Sequence, residues 1–345
     1  MTKLTSNQAQ SGSNSRTVPL FDGGCRQLEA ICLGSAVPRR KFDSVVHSAF
    51  DHAVNLQLVK NRRLITLVVA EEADLPQGIR LNTPPRFSFD DWERGESALC
   101  REGILEYAAK RINIDLRQAK RFTCDLTALD IKMANSATLA AWFTVVRMLA
   151  ERWQLETGNL AGQTAAIAEI LKNAIELADA TRRNDSIASM HVAARLVGLG
   201  PGLTPAGDDF LVGFLAGLWS ITDANKERLE FFGGFARMVV RLSRRTNDIS
   251  RAYLLHAAHG QVSSRLADLV GAISRGESPE RLRETCEASL QVGHISGMAA
   301  TAGLLVGLSV WDVPSSSPAE IKSLFGQGAW VSLQCAPKFT SGSNP

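Results

Sequence analysis

Hydrophobic and polar residues alternate in the early part of the chain and recur at helical spacing in the later part. Residues 53–59 alternate apolar with polar side chains, and residues 64–70 form a β-branched run of strand length. The polar segment Lys60–Arg63 between them has the character of a hairpin turn. The prolines and glycines that follow are typical of turns that close such a region. These patterns predict a small β-rich domain over residues 19–95.

From about residue 90 the apolar positions recur every three to four residues, which is the spacing of amphipathic helices. The charged, periodic segment 96–112 predicts the first helix, and Ser136 is expected to cap a strongly amphipathic run that ends at Trp153. Further helices are predicted over residues 162–181, 186–197, 225–242, 248–258, 261–275 and 279–291. The expected fold class is therefore α+β, with the β-rich N-terminal domain followed by a mainly α-helical domain over residues 96–335.

The segment 198–218 combines a rigid loop with the start of an apolar helix. Four glycines and two prolines stand in the ten residues from Gly198, which excludes regular helix and strand there. Thr204 provides a hydroxyl cap just before a proline suited to the first helical position. Asp208 and Asp209 follow in the first turn, where the helix dipole favours negative charge.

This loop has two interpretations. A glycine loop that leads into a helix N-terminus can present backbone N–H groups to a phosphate or carboxylate, and Gly200, Gly202, Leu203, Thr204 and Gly207 would then bind the anion. Alternatively, the loop is a tight turn ahead of a capped helix. The density of glycine and proline exceeds what a cap requires and favours the anion site. No Walker loop is present, since no Gly-Lys-Ser/Thr follows, and Leu203 breaks the Gly-x-Gly-x-x-Gly pattern of dinucleotide sites.

A second apolar segment repeats the first in outline. Three glycines recur 90 positions later, pairing Gly207, Gly213 and Gly217 with Gly297, Gly303 and Gly307. Glycine inside a helix costs roughly 1 kcal/mol relative to alanine, so these positions need a packing reason. A Gly-x-x-x-Gly pair forms a groove that lets another backbone approach closely. We therefore predict two Gly-rich core helices that cross with their N-termini near one another, through duplication or through independent selection for close packing.

Polar side chains at the starts of these helices could form one site. The segment ahead of the second helix carries His294, Ser296 and Gly297, and the segment Thr246–Ser250 precedes another helix. Thr246 and Ser250 are candidate anion-binding residues, although the segment could equally be a cap. Asp208, Ser296 and Gly297 complete the candidate anion-binding set.

Two residues are candidates for catalysis. His294 can donate to an anion or exchange a proton near pH 7, although a single loop histidine often has a structural role. Asp209 is the second candidate. Asp208 and Asp209 could hold a hard cation such as Mg²⁺, while adjacent acids also suit a helix start. His256 and His259 share a helical face without a companion carboxylate, which disfavours a metal site there.

Charge and composition exclude several partner classes. The net charge of +3 is too small to indicate nucleic acid or an anionic membrane surface. The six cysteines show no Cys-x-x-Cys pattern and are expected to be free thiols in a reducing cytosol. With no signal-like N-terminus and no apolar run of eighteen residues, a cytoplasmic protein is expected. The polar tails 1–18 and 336–345 are expected to be disordered.

Residues 198–211 resemble the signature of the AllH-like family, Gly-Leu-Gly-Pro-Gly-Leu-Thr-Pro-Ala-Gly-Asp-Asp-Phe-Leu. Weaker similarity at residues 46–55 and 293–297 extends the resemblance over residues 25–312. The first of these stretches contains His47 and Ser48, a pair that is more often a turn or cap than a site. Met298-Ala-Ala stands where the family pattern leads us to expect a polar or acidic residue.

The resemblance implies a function. The family is linked to a subunit of oxamate carbamoyltransferase in purine and allantoin breakdown, which implies carbamoyl transfer between oxalurate and phosphate within a hetero-oligomer. The chain lacks Gly-x-Ser-x-Gly and the Ser-Thr-Arg-Thr phosphate signature of ordinary carbamoyltransferases, so a different loop would bind carbamoyl phosphate. The first hypothesis is thus a transferase subunit that binds phosphate, carbamoyl phosphate or a small carboxylate. The alternative is a non-catalytic subunit that binds a small carboxylate or supports assembly with partner chains.

Overall fold

The computed structural model describes residues 25–124, 126, 131–157, 164–222, 225–293 and 295–311. Strands occupy the early part of these ranges, and helices occupy the later part. The predicted tails, residues 1–18 and 336–345, lie outside the described residues. The α+β fold class is confirmed, since no strand follows Phe122 in the described ranges.

The strands form a sheet that closes on itself. They are β1 (Arg26–Gly34), β2 (Lys41–Phe50), β3 (Ala53–Leu58), β4 (Leu64–Val68), β5 (Gly78–Leu81), β6 (Ser97–Arg101), β7 (Ile104–Tyr107), β8 (Ile112–Asp115) and β9 (Lys120–Phe122). Their order is β5-β4-β3-β2-β6-β7-β8-β1-β9, and β5 also pairs with β1. This second pairing closes the sheet into a barrel, whose inward side chains form one hydrophobic core.

The predicted hairpin is confirmed, because β3 and β4 pair antiparallel around the turn Lys60–Arg63. The helix predicted over residues 96–112 is wrong, and strands extend past residue 95 to Phe122. In β6, buried Ala98 and Cys100 alternate with exposed neighbours, so the true period is two. Strands of four or five residues are too short to distinguish that period from helical spacing.

The helices follow the sequence prediction from residue 136 onward. They are α1 (Ser136–Thr157), α2 (Thr164–Arg182), α3 (Ser186–Leu196), α4 (Ala206–Ser220), α5 (Lys226–Leu242), α6 (Asp248–Ala257), α7 (Ser264–Arg275), α8 (Pro279–Leu290) and α9 (Ser296–Leu308). One correction concerns Thr204, which does not cap α4, since Pro205 occupies the cap position without a side-chain hydrogen bond. A second concerns α1, whose first turn donates to the Asn135 side chain.

The two Gly-rich helices, α4 and α9, pack backbone against backbone in the core. A Cβ atom at Gly213 would overlap the carbonyl oxygen of Ala300, and one at Gly303 would overlap that of Phe210. One turn further along, a Cβ at Gly217 or Gly307 would lie 2.6 Å from a carbonyl oxygen of the opposite helix. The contacts are reciprocal, as they would be about a two-fold axis between parallel helices. The predicted close pairing of these helices is confirmed.

The first glycine of each helix packs against the helix before it. A Cβ at Gly207 would overlap the carbonyl oxygen of Leu196 at the end of α3. A Cβ at Gly297 would likewise overlap that of Ser289 near the end of α8. Each helix therefore turns back closely on its predecessor, and the loops between them are drawn to the same end of the α4–α9 pair.

Barrel and helices contact each other through the segment after β4 and the start of α7. The Ser264 N–H donates to the Asp74 carbonyl at 2.9 Å, and the Asp74 N–H donates to the Ser264 hydroxyl at 3.1 Å. Arg265 donates to the carbonyl of Glu71 at 2.7 Å. None of the helices in the described ranges has the length and apolar character needed to span a bilayer.

Candidate functional site

A cavity of about 280 Å³ lies between the barrel and the helices. The barrel side comes from β3, β4 and the segment after β4, and the helical side includes α6 and the first turns of α4 and α9. Ionisable and hydroxyl-bearing side chains on its lining include His52, Thr66, Glu72, Thr204, Asp209, Tyr253, His256 and Ser296. Both loops that lead into the Gly-rich helices therefore reach one partly open space that a small molecule could occupy.

Asp209 is the buried carboxylic acid of this cavity. Its Oδ2 atom is almost completely buried and has no hydrogen-bond partner among the described residues. Burial raises the pKa of Asp209 to about 7 and the charge of Asp208 adds to the rise, whereas the hydroxyls of Ser296 and Thr204 oppose it. A carboxyl group with this pKa exchanges a proton near neutral pH and is suited to general acid–base chemistry.

Asp208 has a different environment, although it is the next residue. Its Oδ1 accepts a hydrogen bond from the Gly198 N–H at 2.8 Å, and its Oδ2 accepts one from the Thr246 hydroxyl at 2.5 Å. Burial raises the pKa of Asp208, and the hydrogen bonds from Thr246 and Gly198 oppose that rise. Asp208 thus joins the Gly-rich loop to the start of α6, with its oxygens directed at protein groups.

The hydroxyls of Thr204 and Ser296 join the two helix starts at the cavity. Their oxygens lie 2.8 Å apart, and either one could donate. Pro205 and Ile295 occupy the cap positions of α4 and α9, and neither helix start has a side-chain cap hydrogen bond. The positive ends of two helix dipoles therefore lie beside these hydroxyls, which favours negative charge in this part of the cavity.

Tyr253 and His256 line the cavity from α6. Burial raises the pKa of Tyr253 to about 12, and the charges of Asp209 and Glu72 add to the rise, so the phenol remains a hydrogen-bond donor. Burial also lowers the pKa of His256, which keeps the imidazole neutral at pH 7. The Nδ1 atom of His256 lies 3.1 Å from Oε1 of Gln261.

A chain of polar contacts connects the cavity to the family-like stretch in β2. Thr66, on the cavity wall, donates to the Asn55 side chain at 2.8 Å, and Asn55 donates to the Ser48 hydroxyl at 3.1 Å. Ser48 lies 3.1 Å from Nδ1 of His47. The other nitrogen of His47 lies 3.4 Å from the Asp248 carboxylate at the start of α6. His47 and Ser48 therefore connect β2 to α6 and do not line the cavity themselves.

The sequence-predicted site residues fall into separate groups. Thr204, Asp209, Ser296 and Gly297 line the cavity, whereas Asp208, Thr246 and Ser250 lie together behind the Gly-rich loop. Gly200, Gly202 and Leu203 are on the loop and not on the cavity lining, and Gly207 is in the helix contact described above. His294 lies outside the described residues, so its predicted role stays a prediction.

The lining residues that sequence reasoning missed include His52, Thr66, Glu72 and Tyr253. The first of these belongs to the family-like stretch 46–55, so that stretch carried a signal. Tyr253 lies one helical turn after Ser250, which the sequence analysis had already marked. Thr66 and Glu72 carry no local signal, because their place on the cavity depends on barrel closure.

The prediction of a magnesium site remains untested. In the part of the chain that the structure describes, no group of three or more His, Cys, Asp or Glu side chains is arranged to hold a metal ion. Both oxygens of Asp208 already accept hydrogen bonds from Gly198 and Thr246.

The fold and cavity define the class of protein: an α+β protein in which a small barrel and a helical body with paired glycine helices enclose a small-molecule-sized cavity. Family models match both parts. Residues 26–121 match the N-terminal domain of the AllH family, and residues 196–308 match the oxamate carbamoyltransferase subunit AllH. The chain belongs to the AllH family. No solved structure matches it.

Proposed function

We propose that the chain is a carbamoyltransferase subunit whose cavity binds a small anionic substrate of the oxamate or oxalurate type. The observation that supports this most strongly is Asp209, whose Oδ2 is buried without a partner and whose pKa is about 7. A buried polar atom without a partner costs free energy, and a ligand that supplies the missing hydrogen bond recovers it. Membership of a family described as an oxamate carbamoyltransferase subunit supports the reaction class.

The chemistry needs one mobile proton. In transfer from oxalurate to phosphate, a phosphate oxygen forms a bond to the carbamoyl carbon and the bond from that carbon to nitrogen breaks. The departing oxamate nitrogen then takes up a proton, and in the reverse direction the same nitrogen loses one. Asp209 donates the proton in the first direction and accepts it in the second, which suits a pKa of about 7.

Electrostatics at the helix starts complement this role. The substrate carboxylate and the oxygen of the carbamoyl group both carry negative charge, the latter increasingly as the new bond forms. The hydroxyls of Thr204 and Ser296 and the N-terminal ends of α4 and α9 stabilise such charge from fixed positions. A bound anion also favours the protonated form of Asp209, which is the form that donates.

The Gly-rich loop has a supporting role in this proposal. Gly200 and Gly202 have left-handed backbone conformations, with φ of +110° and +96°, which set the path of the chain into Thr204. The backbone N–H groups of Gly202 and Leu203 have no backbone hydrogen bond within the described residues. They are available to an anion that approaches from the loop side, as they must be if the loop forms an anion cradle, that is, a set of backbone N–H groups around an anion.

Turnover by the complex assembled with its partner subunits tests the proposal. With oxalurate and phosphate, the Asp209→Asn variant is expected to lose roughly 10²–10⁴-fold in kcat, the usual contribution of a general acid or base. Asp208→Asn is the matched control, because it removes the neighbouring carboxylate, whose charge contributes less than burial to the raised pKa of Asp209; its folded fraction should lose far less turnover than Asp209→Asn. Full activity of Asp209→Asn would contradict the proposal and support the alternative of a non-catalytic carboxylate-binding or assembly subunit.

A further inference from the structure

A second, basic depression of about 760 Å³ adjoins the cavity between the barrel and α6. We define this basic groove by Arg62 and Arg63 of the β3–β4 turn and by Arg251, His256 and His259 of the α6 segment. His256 and Gln261 line both the groove and the cavity, so the two spaces share a wall. By contrast, neither lysine nor arginine occurs among the described residues that line the cavity.

The arginines of the groove are available for a ligand. Arg62, Arg63 and Arg251 form no ion pair with any described residue. Asp248 is the acid on the groove lining, and it already faces His47 at 3.4 Å. Burial is the main cause of the lowered pKa of His256, and the charge of Arg63 lowers it further. This cation therefore lies close to the wall that the groove shares with the cavity. The groove therefore carries a net positive charge next to the cavity.

Arg62 is held against its local backbone preference. It has a left-handed conformation with φ of +58°, a region in which glycine or asparagine is favoured at hairpin turns. The turn is fixed by hydrogen bonds from the Arg62 N–H to the Leu58 carbonyl and from the Leu58 N–H to the Arg63 carbonyl, each at 2.9 Å. An arginine at this position gives up stability that asparagine would provide, so Arg62→Asn is a variant that removes the charge without weakening the turn.

We propose that the basic groove binds the phosphate group of the reaction, as inorganic phosphate or as the phosphoryl end of carbamoyl phosphate. The proposal rests on the function proposed above. It assigns the phosphate group to the basic groove and the oxamate or oxalurate part to the adjoining cavity. Arginine forks match phosphate oxygens, and three such side chains converge on the groove from the barrel and from α6. The cavity offers hydroxyls and an acid to the carbamoyl and carboxylate end, with His256 at the boundary.

Calorimetric titration of the full chain with inorganic phosphate, and separately with carbamoyl phosphate, tests the proposal. Arg63→Gln and Arg251→Gln should each weaken both ligands about ten- to a hundredfold, which corresponds to the loss of one charged hydrogen bond. Arg94→Gln, which changes an exposed barrel arginine away from the groove, should leave both affinities unchanged. Arg62→Asn should weaken phosphate binding while raising the thermal midpoint, so its effect cannot be a folding defect.

Oxamate titrations separate this proposal from the proposed function. Oxamate affinity should be unchanged in Arg63→Gln and Arg251→Gln and reduced in Asp209→Asn. Phosphate that does not bind the wild-type chain at millimolar concentration, or that binds the two arginine variants as well as the wild type, overturns the groove proposal alone. If the arginine variants lose phosphate binding but the complex transfers no carbamoyl group, the groove proposal stands and the proposed function fails.

Discussion

The hydroxyl oxygens of Thr204 and Ser296 lie 2.8 Å apart, although 92 positions separate them in the sequence. They meet because α4 and α9 run side by side with glycines at their contacts, which brings the two helix starts to one place. Asp209, in the first turn of α4, borders the same cavity. The close helix pair thus positions the groups on which the proposed chemistry depends.

The helix pair predicts a large difference between two glycine substitutions. Gly213→Ala places a Cβ on the Ala300 carbonyl oxygen, so the helices must separate, and we expect the free energy of unfolding to fall by at least about 2 kcal/mol. Gly234→Ala, in α5, has no atom within 4 Å of the added Cβ and should stabilise by roughly 0.5–1 kcal/mol. Urea unfolding of both variants measures the change in the free energy of unfolding. An equal change in the two variants would contradict the close packing of α4 against α9.

Asp209 predicts a pH-dependent cost of folding. Burial raises its folded pKa from 3.8 to about 7, so between these values the unfolded chain ionises while the folded chain keeps the proton. Stability therefore falls as the pH rises through this window, and the cost is fully present above pH 7. The gain in unfolding free energy from Asp209→Asn should increase by roughly 2–3 kcal/mol between pH 5 and pH 8.

Denaturant unfolding at several pH values gives this comparison directly. Asp208 is the control, because its carboxylate is hydrogen-bonded to Gly198 and Thr246. Asp208→Asn replaces one of the two acceptor oxygens by an NH₂ group, which then faces one of those donors. The variant should therefore destabilise the chain at every pH in the range. A gain from Asp209→Asn that stays constant with pH would show that Asp209 ionises normally in the folded chain.

The hydroxyls at the helix starts predict a shift in the pH–rate profile. Ser296 and Thr204 oppose the rise in the pKa of Asp209, so Ser296→Ala or Thr204→Val should raise that pKa further. In the proposed reaction, phosphorolysis of oxalurate needs protonated Asp209, so the pH at which activity is lost on the alkaline side should move upward by a measurable part of a pH unit. Ser309→Ala, at the other end of α9, removes a hydroxyl that contacts only Val306 and should leave the profile in place.

Gly202 tests the anion cradle on the loop. Gly202 has a φ of +96°, and Gly95 in the barrel has a similar φ of +93°. A Cβ added at either glycine would have no atom within 4 Å, so Gly95 is a matched control. Alanine at either position should cost about 1–2 kcal/mol through backbone strain. Only Gly202→Ala should also reduce the rise in thermal midpoint caused by oxamate, because the loop sets the position of Thr204 on the cavity wall. An equal ligand-induced rise in both variants would leave the loop with a purely structural role.

Local patterns in the sequence were sufficient to predict part of the fold. The glycines at positions 213 and 303 predicted the helix pairing. Glycine destabilises a helix interior, so its presence there indicates that another backbone packs closely against it. The β3–β4 hairpin and the later helices follow from their periodicity. Strands β6 and β7 could not be recognised, because their outward charged residues imitate a helical face.

The cavity itself lay beyond local reasoning. Asp209 was a candidate because it stands in the first turn of a helix, but the cavity that it borders also needs barrel residues such as Thr66 and Glu72 for its wall. These reach the cavity only because the sheet closes and the segment after β4 docks on α7. The different environments of Asp208 and Asp209 likewise depend on which of them faces Gly198 and Thr246, and the sequence does not encode that locally.

Electron density for oxamate in crystals of the chain tests the central claim most directly. The account predicts density in the cavity between barrel and helices, with an oxamate nitrogen or oxygen within about 3.2 Å of the Asp209 carboxyl group. The Thr204 or Ser296 hydroxyl should contact the same molecule. Oxamate bound elsewhere on the chain, with the cavity containing only water beside Asp209, would contradict it.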